Sequence, residues 1–355
     1  MSAVTVSVAT EAAAPRPAGF LSRLFRDKPL GAAGGVVFLI FLFCGVFADV
    51  LSPYGMNEIN PLDRLQAPSW AHPFGTDNLG RDMLSRCLHG AQLSVIIGLA
   101  AASLATAVSV IIGIATGYLG GKFDLITQRF VDAWMSFPEL IILIVVVSVL
   151  GPGMPQIIGT LGLLLGIAGS RIIRSAVVSV RENMYVHAAQ SIGSGTFRIL
   201  WRHILPNIMP PIIVLFTTRV GAVILAESGL SFLGLGVPPP APTWGGLLSG
   251  SGRTYMFQGP WLALAPGLCL TVVVYATNVF GDALRDLLDP RLRGSRARER
   301  WTPVEDLPLH RIATFLAKPE PSAITSASPK SGERRIRARI ASFGSTVNRP
   351  RESYQ

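Results

Sequence analysis

The chemically reactive side chains of this sequence do not fall into the spacing of a familiar catalytic centre. A phosphate-binding loop ends in Gly-Lys-Ser or Gly-Lys-Thr, and Gly120-Gly121-Lys122-Phe123 lacks both the spacing and the hydroxyl. Neither a Gly-x-Ser-x-Gly turn nor a His-Glu-x-x-His pair occurs. The sequence therefore predicts a chain that catalyses no reaction and binds no cofactor.

Two further sets of residues could bind a metal, and neither has a convincing pattern. Cys44, Cys87 and Cys269 are widely spaced and contain no C-x-x-C pair, which argues against a zinc site or a disulfide framework. His72, Asp77 and Asp82 are closer together, but capping of a following helix or pairing with an arginine explains these carboxylates more simply. We predict no metal site.

The composition indicates a membrane protein. Of the 355 residues, 50% are hydrophobic and only 15% are charged, whereas a soluble domain carries about 25% charged residues. Several apolar runs approach the ~20 residues that a helix needs to cross the hydrocarbon core. An ordinary soluble enzyme is therefore excluded, and the function has to be sought among membrane proteins.

We predict an all-α membrane fold with six spans. The third span has to extend backwards across Pro138 to reach sufficient length, and the fifth contains a charged residue, Arg219. The second is rich in Gly, Ala and Ser, which favours close packing against another helix. The six predicted spans are about 30–50, 93–118, 130–150, 157–173, 208–225 and 261–279.

The distribution of basic residues predicts the orientation. Leaving the long C-terminal tail aside, one set of alternate segments contains 11 Lys and Arg residues and the other contains 4. Because Lys and Arg concentrate on the cytoplasmic side, we expect both termini in the cytoplasm. This distribution also explains the net charge of +10 without nucleic-acid binding. We divide the chain into an N-terminal arm, 1–29, a membrane domain, 30–294, and a basic tail, 295–355, whose composition predicts disorder.

A central loop between the fourth and fifth spans has an unusual composition. Around Met184 to Gly193 we predict a short helix with small residues, Ala188 and Ala189, on its exposed side and a left-handed glycine at its end. Such a helix either connects two spans or inserts into a groove of another protein.

This loop resembles that of the permease subunits of binding-protein-dependent ABC importers. The family pattern is E-A-A, three residues, G, nine residues, then I-x-L-P, and His187 stands here at the usual acidic position. His203 replaces the usual aliphatic residue. The positions that match the spacing are Ala188, Ala189, Gly193, Leu205 and Pro206.

Other stretches are similar to the second permease of the dipeptide, oligopeptide and nickel importers. They are His72 to Asp82, Ala226 to Gly236, Pro242 to Gly245 and Gly281 to Arg291. The resemblance implies the type I ABC importer permease fold in a bacterial inner membrane. It further implies one half of a translocation path for peptides or similar small solutes, with ATP hydrolysed by other chains.

The resemblance also implies partners and site residues. The expected partners are a second permease, two cytoplasmic ATPases, an extracytoplasmic solute-binding protein and membrane lipid. The residues expected to couple the chain to the ATPases are Tyr185, His187, Ala188, Ala189, Gly193, His203, Leu205 and Pro206.

Four charged residues are candidates for the translocation path or a gate: Asp132, Glu139, Arg219 and Glu227. Charges inside a membrane are costly unless they face protein or water, so a path position would explain them. A position at a helix end is the alternative for Asp132 and Glu139. An ion-gradient-driven secondary transporter is the alternative for the whole chain, although the two repeated halves typical of that class are not evident.

Overall fold

A computed structural model describes residues 20–288 of the chain. The arm at 1–29 is therefore described only from Phe20 onward, and the tail at 295–355 lies outside the described residues. Within 20–288 the regular structure is helical, apart from one isolated β-bridge between Thr76 and Asp82.

The N-terminal part contains one long helix between two short ones. Their bounds are α1, Phe20–Asp27; α2, Pro29–Val46; and α3, Ala48–Leu51. Pro29 occupies the first turn of α2, where its missing N–H costs no hydrogen bond. Residues 52–82 then form an irregular segment, which we call the 52–82 segment; it contains a 3₁₀ turn, Pro61–Asp63.

The middle of the chain contains two long helices and a bent pair. The long helices are α4, Met83–Leu119, and α7, Met154–Arg181. Between them lie α5, Gly121–Met135, and α6, Glu139–Leu150, whose axes differ in direction by 83°. Predicted span 130–150 is therefore not one continuous helix. The break falls at Pro138, which has no N–H to donate to the preceding turn.

The last third begins with the central loop, residues 182–208. This loop contains α8, Met184–Ser191; α9, Thr196–Ile199; a π-helical turn, Leu200–Ile204; and a 3₁₀ turn, Leu205–Ile208. The chain continues with α10, Met209–Phe232; α11, Trp244–Leu247; a π-helical turn, Leu248–Gly252; and α12, Trp261–Leu288.

The predicted all-α membrane fold is confirmed for residues 20–288, with five or six candidate spans. Five stretches are long and apolar enough to cross a membrane: α2, α4, α7, α12 and residues 196–232, of which α10 is the main part. The bent pair of α5 and α6 makes the sixth if it counts as one span. Several helices extend beyond the predicted spans. For example, α4 begins ten residues before position 93, because polar residues in its first turns are bonded within the protein.

The helices pack closely where glycines face a neighbour. In α4, a Cβ on Gly113 would lie 2.8 Å from the carbonyl oxygen of Ser170 in α7. On α2, a Cβ on Gly34 would lie 2.6 Å from the carbonyl oxygen of Ala276 in α12. These contacts require glycine, and they agree with the prediction that small residues in the second span pack against protein.

Candidate functional site

The central loop packs against the membrane helices through a cluster of buried apolar side chains, which we call the footing. The loop contributes Val186, Ala189, Ile199, Ile204 and Ile208, which are all buried, and these side chains pack with Ile173, Val177 and Leu215 of α7 and α10. Burial of one aliphatic side chain stabilises a protein by about 1.5–3 kcal/mol. The loop is therefore a packed part of the domain and not a loose connection.

The end of α8 has the geometry predicted from Gly193. This glycine has a φ of +78°, its N–H donates to the Gln190 carbonyl at 2.9 Å, and the next N–H, of Ser194, donates to the Ala189 carbonyl at 3.0 Å. The two bonds form a Schellman motif, which ends the helix and turns the chain towards α9.

The prediction of an exposed small face is correct for Ala188 and wrong for Ala189. Ala188 is exposed, whereas only 6% of Ala189 is accessible, because it lies one turn after Val186 on the side that packs against α7. One face of α8 packs against the domain and includes Ala189, and the opposite face, which includes Ala188, is exposed. Ala189 therefore contributes to the footing of the loop.

The exposed side of the central loop instead carries large apolar side chains. We call this set the loop surface, and its members are between 66% and 86% exposed: Met184, Ile192, Phe197 and Trp201. The rings of Phe197 and Trp201 stack with their centroids 6.3 Å apart and their planes 8° from parallel. A group of exposed aromatic residues is typical of a protein–protein contact. The motif comparison missed these residues, although large apolar residues outside the apolar spans were a visible signal.

The other predicted coupling residues lie on the same central loop. The Tyr185 ring lies 6.3 Å from the His203 ring, and His187 Nε2 lies 3.9 Å from a carboxylate oxygen of Glu182. Leu205 packs partly against the footing, while Pro206 is exposed. His187 stands at the position where the family usually has an acidic residue. In this chain Glu182 supplies an acidic group beside it.

Two carboxylate–arginine ion pairs join helix α5 to helix α7. Asp124 accepts a hydrogen bond from Arg174 Nε at 2.6 Å, and Asp132 pairs with Arg171. Asp132 also lies 3.6 Å from Arg129 on its own helix. The structure thus places candidate Asp132 in a contact that holds two helices together.

Glu139 and Arg219 lie close enough to interact electrostatically. Glu139 is the exposed first residue of α6. Arg219 is half-buried in α10. Its side chain reaches α7, because a Cβ added to Gly169 would lie 3.1 Å from Arg219 Nη2. Within the described residues, neither side chain has a hydrogen bond, and no ion pair within 4.0 Å joins them. Among residues 20–288, each of the two charges thus has the other as an electrostatic neighbour but no directly bonded partner. In a membrane, such charges need water or a ligand.

Glu227 has a different environment from the other candidates. It is 0% exposed, and its carboxyl group accepts hydrogen bonds from Ser231 Oγ at 2.6 Å and Ser228 Oγ at 3.4 Å. Because it follows Arg219 by eight residues in one helix, the two backbones are about 12 Å apart along the axis. Of the four candidates, the structure brings together Glu139 and Arg219.

The 52–82 segment is organised by buried aspartates. Asp77 is 0% exposed and accepts from the N–H groups of Leu79 and Arg81, at 2.8 and 3.0 Å, and from Arg81 Nε at 2.7 Å. Asp82 caps α4 by accepting from the Ser85 N–H at 2.7 Å. These bonds agree with the capping and pairing interpretation of the two carboxylates.

The possible metal ligands do not form a site. His72 Nδ1 lies 3.0 Å from an Asp82 oxygen, but Asp77 is occupied by Arg81. Among residues 20–288, no group of three or more His, Cys, Asp or Glu side chains could hold a metal ion.

Comparison with protein families gives two matches. Residues 109–294 match the model described as "Binding-protein-dependent transport system inner membrane component". Residues 21–68 match the "N-terminal TM domain of oligopeptide transport permease C". Together the two matches cover most of the membrane domain, including the central loop.

Curated relatives agree with these matches. The dipeptide transport system permease protein DppC of Alkalihalophilus pseudofirmus is 38% identical over 268 residues, which cover 76% of this chain and 88% of that protein. The di/tripeptide transport system permease protein DppC of Pseudomonas aeruginosa is 37% identical over 272 residues, covering 75% and 89%.

A weaker likeness exists among solved structures. A chain from a structure titled as inward-facing conformations of the MetNI methionine ABC transporter aligns with a TM-score of 0.48 and 15% identity. The alignment covers 58% of this chain and 98% of that one.

Proposed function

Because the chain belongs to the family of binding-protein-dependent transport system inner membrane components, we propose that it forms one half of the membrane path of an ATP-driven peptide importer. The relatives named for dipeptide and di/tripeptide transport support peptides as the substrate class. The chain itself catalyses no reaction and carries no cofactor. Nothing in the comparisons favours an ion-gradient-driven transporter.

The loop surface is the observation that carries this proposal. Its aromatic side chains are exposed although the central loop is anchored by a cluster of buried apolar side chains, an arrangement that is costly unless a partner covers it. We assign that partner as a cytoplasmic ATPase subunit, which would receive Phe197 and Trp201 in a groove. Movement of the ATPases would then be transmitted through the footing to α7 and α10.

The remaining partners complete the path. Six spans supply half of a bundle, so a second, similar permease lies opposite this chain, and two ATPases and an extracytoplasmic solute-binding protein join the assembly. The 52–82 segment is the element of this chain that would face the binding protein. Membrane lipid covers the rest of the apolar helix surface.

Within the path, Glu139 and Arg219 are the residues that would meet the substrate or close a gate. Their opposite charges, which no hydrogen bond or close ion pair satisfies among the described residues, suit a water-filled passage between the halves. Asp132 acts through its pair with Arg171 to hold α5, and Glu227 lies behind the surface, bonded to serines.

The orientation that fits these roles has both termini in the cytoplasm of a bacterial cell with the chain in the inner membrane. Single cysteines at Ser69, Ser249 and Ser194, in a variant without the native cysteines, test it with an impermeant thiol reagent. We expect labelling of the first two in intact cells and of Ser194 only after permeabilisation. Labelling of Ser194 in intact cells would overturn the orientation.

Site-specific photocrosslinking tests the assignment of the loop surface. A photoreactive phenylalanine analogue at Phe197 should form a covalent adduct with the ATPase subunit in the assembled complex. The matched control is the analogue at Phe25, an exposed phenylalanine in α1 of the N-terminal arm, which should give no ATPase adduct. Equal adducts at both positions, or none at Phe197, would contradict the assignment.

A further inference from the structure

Three cysteines that are far apart in the sequence converge in the fold. Cys44 of α2, Cys87 of α4 and Cys269 of α12 all line one apolar cavity of about 320 Å³. All three are free thiols. Their spacing in the sequence gave no sign of this cluster, because each comes from a different helix.

Two of these cysteines pack in one apolar cluster. Cys87 belongs to its buried core, and Cys269 is among the partly buried residues that pack against that core. Cys87 is only 4% exposed, whereas Cys269 is half-buried and more accessible. The backbone of Cys87 is held by a hydrogen bond from Trp244 Nε1 to its carbonyl at 3.0 Å. The cavity is thus lined by an accessible thiol and by a second, buried thiol whose backbone is held in place.

The cluster lies towards one end of the helices. Cys44 is two residues before the end of α2, and Cys87 is in the first turns of α4, on the two sides of the 52–82 segment. In the proposed orientation this end faces away from the cytoplasm. The space outside a bacterial inner membrane is oxidising, and disulfides persist there.

We propose that Cys87 and Cys269 are a thiol modification site, at which a small lipophilic disulfide converts the pair into a disulfide that joins α4 to α12. The Cys269 sulfur attacks one sulfur of the reagent, loses its proton and releases one reagent half as a thiol. The Cys87 sulfur then attacks Cys269 and releases the second half. The two protein thiols lose two protons and two electrons, and the reagent disulfide is reduced to two thiols.

The cavity supports this order of events. It is lined by apolar side chains, among them Phe41, Phe74 and Leu268, and would admit an uncharged aromatic disulfide more readily than charged glutathione disulfide. Closing the bond requires the two sulfurs to approach to about 2.05 Å. Since α4 and α12 already pack against each other at this cluster, the approach needs no exchange of helix neighbours.

The test uses the purified full chain in lipid nanodiscs with 4,4′-dithiodipyridine as the reagent. After treatment and denaturation, mass spectrometry should find the peptides of Cys87 and Cys269 linked, with Cys44 outside the link, either as a free thiol or carrying one pyridylthio group. Dithiothreitol should restore all three thiols.

The half-buried cysteines Cys44 and Cys269 provide two matched variants. Cys44→Ser should form the same link, and Cys269→Ser should form none. A link between Cys44 and either other cysteine in the wild-type chain, or separate pyridylthio groups on Cys87 and Cys269 without a link, would overturn the proposal. Because the readout is covalent structure, its failure leaves the transport function untouched.

Discussion

The central loop and the 52–82 segment are both irregular stretches outside the long helices, but they are held in opposite ways. The central loop is anchored by buried aliphatic side chains and exposes aromatic ones. The 52–82 segment is anchored by buried polar side chains, chiefly Asp77 and Asp82, that bond its own backbone and the start of α4.

This difference separates two mechanical roles. A network of hydrogen bonds to a buried carboxylate fixes one geometry, because any displacement leaves a charge unsatisfied. An apolar footing tolerates small shifts while its surface stays buried. We infer that the 52–82 segment is a rigid element of the domain, whereas the central loop can move with a partner bound to the loop surface.

The largest expected effect on stability is that of Asp77→Ala in the 52–82 segment. Removal of the buried carboxylate leaves Arg81 and two backbone N–H groups without their acceptor, at a cost of about 3–5 kcal/mol. Thermal unfolding in detergent should show a clear decrease in the melting temperature. The matched control, Asp49→Ala, removes a carboxylate that is 76% exposed and should change it little. If both variants lowered the melting temperature equally, the buried carboxylate would not be what makes the 52–82 segment rigid.

Ala189→Arg should have the next largest effect, and it probes the footing. A charged side chain at this buried position has no partner within the packed face of α8, which should destabilise the chain by about 2–3 kcal/mol and reduce uptake. Ala188→Arg, at the exposed neighbouring position, should leave the melting temperature unchanged. If both variants unfold at the wild-type temperature, the loop is not anchored as described.

The double variant Phe197→Ala with Trp201→Ala should separate coupling from stability. These side chains are exposed, so their removal should change the unfolding free energy by no more than about 0.5 kcal/mol. Loss of aromatic anchors from an interface should nevertheless reduce ATP-dependent uptake at least about tenfold. Co-purification of the ATPases with the variant chain measures the same loss directly. Wild-type uptake would show that the loop surface is not the coupling contact.

The smallest effect is expected for His187→Glu. The substitution restores the residue type usual in the family at an exposed position, although it places a second carboxylate near Glu182. We expect uptake and melting temperature close to those of the wild type. His187→Ala serves as the control that removes the polar group, and a severe defect in the glutamate variant alone would assign a specific role to the histidine.

The sequence predicted the helical membrane fold and the position of the central loop well, because apolar length, Gly spacing and motif order are local properties. It did not predict properties that depend on which helix faces pack against each other. The burial of Ala189 follows from packing on α7, and the pairing of Asp132 with Arg171 joins two helices. The break at Pro138 was visible in the sequence, but the length needed for a span favoured a continuous helix. The convergence of the three cysteines could not be read from their spacing.

The most direct test of the proposed function is uptake into proteoliposomes of defined composition. Vesicles with this chain, the second permease and the two ATPases receive ATP inside and the binding protein with a labelled dipeptide outside. We predict uptake that requires ATP and that disappears when the second permease is omitted, while an ion gradient without ATP gives none. Full uptake with this chain as the only permease, or uptake driven by the ion gradient alone, would contradict the account.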